Sequence, residues 1–382
     1  MKNRAGTYTK NFSGESEYFS FVPSKLPPLP PIIMDEDMIG LLLESTKKLT
    51  QLESESKKIP SVNQFIAMYV RKEALMSSQI EGTQATLEDV LDPTIHKNIN
   101  IEVSEVINYV NALEYATKRL TEIPLCNRLI KETHAFLMSG IRGADKNPGE
   151  FRASQNWIGG IGSTLKNAGY IPPNLSDMHE SIYELEKYIN DDNSNPLINA
   201  ALIYYQFETI HPFLDGNGRV GRLLIILYFI EKKVISIPSL YISYFLKKNR
   251  IEYYDRMNDV RDKGNYEGWI KFFLKAIIES ASDALNTIDK LNELKERNNR
   301  IISELGRQSN NIAKVLIYLE SSPIVEIKKL AGDLKMAYNT AFSSINRLID
   351  VNIVKQYNNS LRNKTYVYLE YIDILKEGTE NY

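Results

Sequence analysis

Apolar residues recur three and four positions apart along most of the chain, which is the spacing that places side chains on one face of a helix. Several of these segments carry the expected end signals. Asp35 is a candidate N-cap, Thr86 and Asp89 have the spacing of a capping box, and Gly82 is a candidate C-terminal glycine. The pattern predicts an all-α protein. Its predicted helices cover residues 35–52, 60–82, 86–91, 101–120, 125–137, 177–189, 196–208, 217–230, 237–254 and 266–299.

Two earlier segments depart from the helical pattern. Residues 1–33 show little periodicity, and the proline-rich run 26–31 predicts an extended arm lying across the body of the protein. Residues 149–173 mix β-branched and aromatic residues with glycines, which predicts a small β-hairpin with its turn near residues 161–166. A hairpin of this kind exposes an edge that an extended segment of another protein could join.

A separate pattern begins after residue 308. Three short helices, at 312–319, 327–334 and 338–348, precede two alternating strands at 353–357 and 364–369, with a turn at Asn358-Asn359-Ser360. Three helices and a two-stranded wing resemble a winged helix-turn-helix. We therefore expect three regions: an N-terminal arm and helix (1–58), a catalytic core (59–300) and a winged helix-turn-helix domain (308–382).

Composition narrows the function classes. The 382 residues have a net charge of −2, so no overall basic field indicates nucleic acid. Residues 311–370 hold eight Lys and Arg against five Asp and Glu, which favours a protein-binding or packing role over DNA binding for the C-terminal domain. The single cysteine, Cys126, permits no disulfide within the chain. Without an apolar run of about 18 residues, we expect a soluble, cytoplasmic protein with no membrane span.

One stretch of twelve residues carries several groups suited to phosphate chemistry. Its glycines allow close backbone approach to a ligand, and Asn217 is a candidate N-cap for the following helix, whose free N–H groups point toward an anion. Arg219 and Arg222 lie three apart, so they share one helix face and can bind further phosphate oxygens. The stretch reads His211-Pro212-Phe213-Leu214-Asp215-Gly216-Asn217-Gly218-Arg219-Val220-Gly221-Arg222.

The same stretch contains a metal ligand and a base. Asp215 is a hard oxygen ligand beside the anion site, which is the usual setting for Mg²⁺. His211 titrates near neutral pH and can take a proton from a hydroxyl group. Together these residues indicate chemistry on a phosphorylated substrate.

The stretch resembles the Fic family signature HPFx(D/E)GNGRxxR at every specified position. The resemblance implies a mostly helical fold and transfer of AMP from ATP to a hydroxyl of a target protein. It makes His211 the base and Asp215 the Mg²⁺ ligand. It assigns the anion hole to Gly216, Asn217 and Gly218, and the outer phosphates to Arg219 and Arg222. Gly218 replaces the Lys of the Doc-like branch, which transfers phosphate, and so favours nucleotidyl transfer.

A second resemblance lies at the end of the predicted helix 60–82. Ser77, Glu81 and Gly82 match the inhibitory pattern (S/T)xxxE(G/N) of Fic proteins. In its N-terminal position this motif implies that Glu81 pairs with Arg222 and occupies the place of the ATP γ-phosphate. The helix dipole disfavours a carboxylate at a C-terminus, and a cationic partner would remove that cost.

Further site residues follow from the resemblance and from the helical pattern. The predicted hairpin would hold the hydroxyl-bearing target segment, and Arg152 would brace the fold. Asn249 and Tyr241 are candidate nucleotide contacts, with aromatic core packing as the alternative. We expect His134 to be a packed core histidine.

Two other functions stay open at this point. The same site could remove AMP from a modified protein, with Glu81 orienting water. Alternatively, the chain could be a DNA-binding regulator whose core senses nucleotide. The sequence leaves the target and the oligomeric state open, a homodimer included.

Overall fold

The computed structural model describes residues 3–58, 62–92, 101–140, 145–160, 162–191, 195–306, 309–358, 364–377 and 379. Over this part the chain is mainly helical with small antiparallel sheets, as the pattern predicted. It divides into two units. Unit 1 comprises Met1–Thr50 and Asn108–Ser280, and unit 2 comprises Gln51–Ile107 and Ala281–Tyr382.

Unit 1 begins with a β-hairpin that the sequence analysis did not predict. Strand β1 (Gly6–Asn11) pairs antiparallel with β2 (Tyr18–Pro23), in the register Thr7↔Val22 and Thr9↔Ser20. The expectation of an irregular segment before residue 26 was therefore wrong. Phe21, which faces inward from β2, is fully buried and provides the hydrophobic contact that short strands need.

The helices of unit 1 largely match their predicted positions. The Asp35 carboxylate accepts a hydrogen bond from the Met38 N–H at 2.9 Å, which confirms the predicted cap, and the helix continues to Lys58 rather than Leu52. The predicted helix 237–254 is two helices broken at Asn249. The helices are α1 (Glu36–Lys58, shared with unit 2), α4 (Ile101–Arg119, also shared), α5 (Asn127–Leu137), α6 (Leu175–Asn190), α7 (Pro196–Ile210), α8 (Asn217–Glu231), α9 (Ser243–Lys248), α10 (Arg250–Lys263) and α11 (Tyr266–Ser303, shared).

Helix α7 is the centre of unit 1. Every residue from Leu197 to Ile210 is buried, as expected for a helix that is apolar on all sides. Pro196 is at its first turn, as predicted, and the Asn195 side chain caps it by accepting from the Leu197 N–H at 2.9 Å. The Trp269 indole donates to the Ala201 carbonyl at 2.8 Å and so holds α11 against α7.

The predicted hairpin of residues 149–173 is reduced to one residue pair. Ile158 and Tyr170 exchange two backbone hydrogen bonds of 2.8 and 3.0 Å, and no strand extends from them in the described residues. Glycines on both sides of this pair weaken regular strand structure. We call residues 151–173 the flap segment.

Unit 2 contains the remaining helices and a three-stranded sheet. Thr86 and Asp89 form the predicted capping box of α3, and Gly82 has the positive φ of 102° predicted for a helix C-terminal glycine. The start of the helix predicted at residue 60 lies outside the described residues. The elements are α2 (Val62–Ile80), α3 (Leu87–Leu91), α12 (Ser309–Ser321), β3 (Ile324–Glu326), α13 (Ile327–Asp333), α14 (Tyr338–Asp350), β4 (Lys355–Gln356), β5 (Thr365–Val367) and α15 (Leu369–Lys376), with sheet order β3-β5-β4.

Helix α2 packs against α12 and α15 within unit 2. Lys72 on α2 is buried and forms an ion pair with Asp283 of α11 at 3.2 Å, and the Tyr69 hydroxyl donates to the same carboxylate at 3.0 Å. Contacts in this unit thus join a segment of the predicted catalytic core to the C-terminal segment. The winged helix-turn-helix classification and the predicted region boundaries stay predictions.

Candidate active site

His211 ends helix α7 in a constrained backbone conformation. It has the left-handed φ of 50°, which is uncommon for a residue other than glycine. Its backbone carbonyl accepts from Arg152 Nε at 3.1 Å and from Asn156 Nδ2 at 3.3 Å. Two side chains of the flap segment therefore hold the turn that presents the imidazole.

Arg152 braces the fold, as predicted. It is 1% exposed, and its remaining guanidinium donors go to the carbonyls of Ser154 and Pro173. Burial lowers the pKa of Arg152 to about 10, which leaves it charged at neutral pH.

One ring nitrogen of His211 contacts a backbone oxygen, and this contact indicates which nitrogen carries the hydrogen. The His211 Nδ1 lies 3.3 Å from the Glu208 backbone oxygen. A carbonyl oxygen can only accept, so Nδ1 carries the hydrogen and donates it. In the neutral ring, Nε2 is then the atom with the lone pair, and that atom can accept a proton from a substrate.

The loop after His211 is closed by Asn217. Its side-chain oxygen accepts from the Phe213 N–H, and its side-chain nitrogen donates to the Phe213 carbonyl, both at 2.8 Å. The predicted N-cap role of Asn217 was wrong, because Gly216 is the N-cap of α8 and Asn217 is its first helical residue. Gly216 has a φ of 76°, and a Cβ there would lie 2.9 Å from the Met138 sulfur. Glycine is required at this position.

His134 supports the loop from helix α5. The Gly149 N–H donates to its Nδ1 at 2.8 Å, so the ring hydrogen is on Nε2, which donates to the Asp215 carbonyl at 3.1 Å. The ring is 1% exposed and stacks on Phe213 at 3.8 Å. Burial, with a smaller contribution from Arg219, lowers the pKa of His134 to about 4. The prediction of a packed core histidine is confirmed.

Arg219 is a buried cation with hydrogen-bond donors left over. The residue is 3% exposed, and its Nη2 lies 3.7 Å from Asp215 and 3.5 Å from the Met138 sulfur. In the part of the chain that the structure describes, its Nε and Nη1 have no hydrogen-bond acceptor. Unsatisfied donors on a buried charge are costly, and an anion at this position would satisfy them.

Asp215 is more open than its neighbours. Its side chain is 43% exposed, and Oδ1 accepts from the Gly216 N–H at 2.6 Å. This contact holds the carboxylate at the start of α8. The carboxylate therefore lies beside the buried guanidinium of Arg219, with part of its surface open to solvent.

Arg222 and Glu208 lie on the facing sides of α8 and α7. Burial raises the pKa of Tyr204, Glu208 adds to the rise, and Arg222 opposes it, so both charged groups act on one buried hydroxyl. A Cβ on Gly221 would lie 2.4 Å from Glu208 Oε1, and glycine is what lets the two helices approach there. Glu208 escaped the sequence analysis, because a carboxylate in an apolar helix gives no local signal of its role.

A cavity of about 300 Å³ lies between the flap segment and α10. The Tyr253 hydroxyl at its edge is 3.0 Å from the Tyr204 hydroxyl, and the Arg261 guanidinium stacks 4.0 Å from the Tyr170 ring centroid. The lining residues are Ile158, Gly159, Gly169, Tyr170, Glu208, Tyr253, Tyr254, Met257, Asn258 and Arg261.

Tyr241 and Asn249, the predicted nucleotide contacts, are not among the residues that line this cavity. The Tyr241 hydroxyl donates to the Pro238 carbonyl at 2.6 Å, and Asn249 Nδ2 donates to the Phe245 carbonyl at 2.9 Å. Both side chains thus make hydrogen bonds within their own segment. The aromatic and polar residues that face the cavity lie on α10, one to three helical turns after Asn249.

The motif residues of unit 2 lie at the end of α2. Ser77 is fully buried, whereas Glu81 is exposed and directly follows the last helical residue, Ile80. The Glu81 N–H donates to the Ser78 carbonyl at 3.0 Å. The local placement of Glu81 at a helix C-terminus is as predicted.

Two segments of the chain are similar to known protein families. Residues 124–229 match the Fic/DOC family, and residues 39–118 match the Fic/DOC family N-terminal region. A protein adenylyltransferase Fic of Drosophila erecta is 29% identical over 195 residues, which is 47% of this chain and 37% of that protein. A protein of the same name from Drosophila grimshawi is 31% identical over 155 residues, covering 38% and 30% of the two chains. The chain thus spans about a third of the length of these relatives.

A solved structure has a similar fold. A Fic family protein from Desulfovibrio desulfuricans G20 superposes with a TM-score of 0.56 at 17% identity, covering 88% of this chain and 97% of that one. At this identity the likeness concerns the fold alone. The described residues include no helix long and apolar enough to cross a membrane.

Proposed function

Since residues 39–118 and 124–229 make this chain a Fic-domain protein, we propose that it transfers AMP from ATP to a hydroxyl group of a target protein. Relatives named protein adenylyltransferase Fic, of which the chain covers about a third, support this reaction. The residues of unit 1 supply its chemistry. The observation that carries it is the contact of 3.3 Å between His211 Nδ1 and the Glu208 carbonyl, which leaves Nε2 to accept a proton, six residues before the first residue of α8.

The proposed reaction is an in-line displacement at the α-phosphorus. The oxygen of a Ser, Thr or Tyr hydroxyl attacks phosphorus as its proton passes to His211 Nε2. The bond from the α-phosphorus to the bridging oxygen breaks, and pyrophosphate leaves with the electron pair. The Nδ1 contact with Glu208 and the hydrogen bond from Arg152 to the His211 carbonyl restrict the orientation of the imidazole. A restricted orientation favours such a proton transfer.

Phosphate binding is assigned to the start of α8. The first N–H groups of a helix have no partner within the helix, so Asn217 and Gly218 can donate to phosphate oxygens. The unsatisfied Nε and Nη1 donors of Arg219 support its role in binding the outer phosphates. Arg222 lies one turn further along the same helix, is 2% exposed, and completes the proposed cation pair.

The donor set fits a magnesium ion held mainly by the nucleotide. Magnesium is bound in such sites by one or two carboxylates, with phosphate oxygens and water completing the shell. Asp215 offers a partly exposed carboxylate, and the described residues contain no group of three or more candidate ligands. When bound, the ion would neutralise charge on the leaving pyrophosphate.

We assign the adenosine to the cavity of about 300 Å³ between the flap segment and α10, which Glu208 of α7 also lines. Tyr253, Tyr254 and Met257 provide aromatic and apolar surface for a base, and Asn258 and Arg261 provide polar edges. This assignment replaces Tyr241 and Asn249 with residues of α10. The remaining edge of the cavity belongs to the flap segment, which we propose as the binding site of the target.

Autoinhibition by Glu81 is proposed from the sequence motif. Ser77, Glu81 and Gly82 have the inhibitory spacing, and Glu81 is a carboxylate at a helix C-terminus. Pairing of Glu81 with Arg222 would exclude the γ-phosphate.

For the C-terminal elements we keep a protein-binding role over DNA binding, because α14 exposes the stacked rings of Tyr338 and Phe342.

The experiment that tests the function compares the parent chain, Glu81→Gly and Glu81→Gly/His211→Ala. Each is incubated with ATP labelled on the α-phosphate, Mg²⁺ and a cell lysate, and protein-bound label is measured. We expect more labelled protein with Glu81→Gly than with the parent, and none above background with the double variant. A parallel incubation with labelled product tests release of AMP by the parent.

Two results would contradict the proposal. Equal labelling by Glu81→Gly and its His211→Ala derivative would show that His211 is not the base. Release of AMP by the parent but not by Glu81→Gly would make removal of AMP the native reaction. Labelling that is unchanged by Glu81→Gly alone would remove only the autoinhibition claim.

A further inference from the structure

The tip of the N-terminal hairpin and the flap segment together form a second cavity in unit 1, of about 500 Å³. Phe12 and Tyr18 line it from the hairpin, and Trp157 and Leu165 line it from the flap segment. It shares no lining residue with the cavity assigned to the nucleotide. The other lining residues are polar or charged: Ser16, Glu17, Thr164 and Lys166.

The backbone of Phe12 is in an unfavourable conformation, and its side chain buries little surface in return. Its φ of 57° is left-handed, a conformation that side chains other than Gly, Asn and Asp rarely adopt. Its ring is nevertheless 73% exposed, and Trp157 on the opposite wall is 41% exposed. Exposed aromatic side chains in a fixed geometry are typical of the anchor residues of protein interfaces.

The second cavity is connected to the catalytic loop by direct contacts. The Phe21 N–H on β2 donates to the Ile171 carbonyl at 2.9 Å, and the Tyr18 hydroxyl donates to Gln155 at 3.2 Å. The next residue, Asn156, holds the His211 carbonyl, and Trp157 follows it directly. A protein segment lying along the flap toward His211 would therefore pass this cavity within a few residues.

We propose that this second cavity binds a large apolar side chain of the target protein, a few residues from the hydroxyl that is modified. This inference rests on the proposed function, because it assumes that the flap segment binds the target. An extended segment advances about 3.3 Å per residue, so residues two to four positions from the hydroxyl reach well beyond the flap pair. The cavity would then select targets by side chain, whereas main-chain pairing at Ile158 and Tyr170 would not.

Charge at the rim adds a second preference. Glu17 is paired with Lys10 at 2.6 Å, and Lys166 lines the same cavity. Lys10, which does not line the cavity, neutralises Glu17, so Lys166 gives the lining a positive charge. We therefore expect an acidic residue next to the apolar one to strengthen binding, and a lysine to weaken it.

The test uses synthetic peptides of about ten residues with one central hydroxyl, long enough to extend about 33 Å. Phe, Leu or Asn is placed at each flanking position in turn, so that the central residue keeps the one hydroxyl of the peptide. Binding is measured by protection of tryptophan fluorescence from acrylamide. The chain has two tryptophans, and Trp269 is fully buried, so quenching reports Trp157. Transfer of labelled AMP to the same peptides is measured separately with the Glu81→Gly variant, in which the proposed autoinhibition is removed, so a failure of the proposed reaction is distinguished from a failure of binding.

We expect one flanking position at which Phe or Leu binds about tenfold tighter than Asn, from burial of one apolar side chain. Phe12→Asn should reduce that preference to less than about twofold, and Asn tolerates the left-handed backbone, so the fold should persist. The matched control is Phe19→Asn, which removes a ring of the same hairpin that is 50% exposed and does not line the cavity. Leu165→Asn provides an independent second variant.

Several results would overturn the proposal. These are the absence of any position preference, the absence of peptide binding at millimolar concentration, or a preference that survives both Phe12→Asn and Leu165→Asn. Protection of Trp157 by raising the protein concentration alone would assign the cavity to a second copy of the chain. Protection by phosphatidylcholine vesicles would assign it to a membrane surface. Position-dependent binding without AMP transfer would keep the docking site and refute the reaction.

Discussion

Acidification should destabilise unit 1 through His134, the buried imidazole that supports the catalytic loop. Its pKa is lowered from 6.5 to about 4 by burial. Between these values the unfolded chain binds the proton and the folded chain does not, so the free energy of unfolding falls as the pH falls. With these two pKa values the loss between pH 7 and pH 5 is about 2 kcal/mol, and it approaches about 3 kcal/mol below pH 4.

The assay is urea unfolding at pH 7 and pH 5, followed by tryptophan fluorescence. Both tryptophans, Trp157 and Trp269, belong to unit 1, so the signal reports the unit that contains His134. His134→Gln removes the titrating group and should lose about 2 kcal/mol less than the parent between the two pH values. At pH 7 the variant should itself be less stable, because two hydrogen bonds and a ring contact are altered.

The control is His179→Gln, which changes an exposed histidine of the same unit and should retain the loss seen in the parent. Carboxylates that titrate near pH 5 contribute alike to all three proteins and cancel in the comparison. Equal losses in the parent and in His134→Gln would refute the reasoning, since another group would then carry the pH dependence.

Three further predictions concern the catalytic residues. His211→Ala should abolish AMP transfer while leaving the ATP dissociation constant within about twofold by calorimetry, because the imidazole acts on the hydroxyl and not on the nucleotide; transfer at the parent rate would remove the base assignment. Asp215→Ala should raise the Mg²⁺ concentration needed for half-maximal transfer and weaken ATP binding only when metal is present; an unchanged metal dependence would place the ion elsewhere. Arg219→Gln should weaken ATP binding by about 10- to 100-fold, the effect of losing charge-assisted hydrogen bonds, and an unchanged dissociation constant would mean that its buried donors serve another role.

The local parts of the site were predictable because their chemistry is contiguous in sequence. Residues 211–222 contain the proposed base, the carboxylate, the glycines and both arginines within twelve consecutive positions. The capping box at Thr86 and the cap at Asp35 are likewise signals confined to a few residues, and the structure contains both. Such features depend on short-range hydrogen bonds, which the residue types alone determine.

Features that depend on long-range contacts were missed or misplaced. The α10 residues that line the cavity of about 300 Å³ lie about 30 to 40 residues after the motif, and Tyr253 and Arg261 face the cavity only because α10 packs beside the flap segment. Asn217 was expected to cap α8, but Gly216, in the left-handed conformation, is the N-cap. The Asn217 amide instead closes the loop onto Phe213. The strands β1 and β2 have only six residues each, so their sequence carries a weak alternating pattern. Which face of the hairpin is buried is decided by the packing of Phe21 against the rest of unit 1.

The division into two units also has a consequence for how this chain can be taken apart or recombined. The polypeptide passes between units three times, after Thr50, Ile107 and Ser280. No single cut therefore separates them, and cleavage near residue 308 would remove α12 and α15 from α2, the helix that precedes Glu81. Each crossing lies inside a helix, in α1, α4 and α11 respectively, so a gene fusion made at a unit boundary would interrupt a helix. A fusion at the end of α11 would keep these helices whole but would separate α2 from α12 and α15, its packing partners in unit 2.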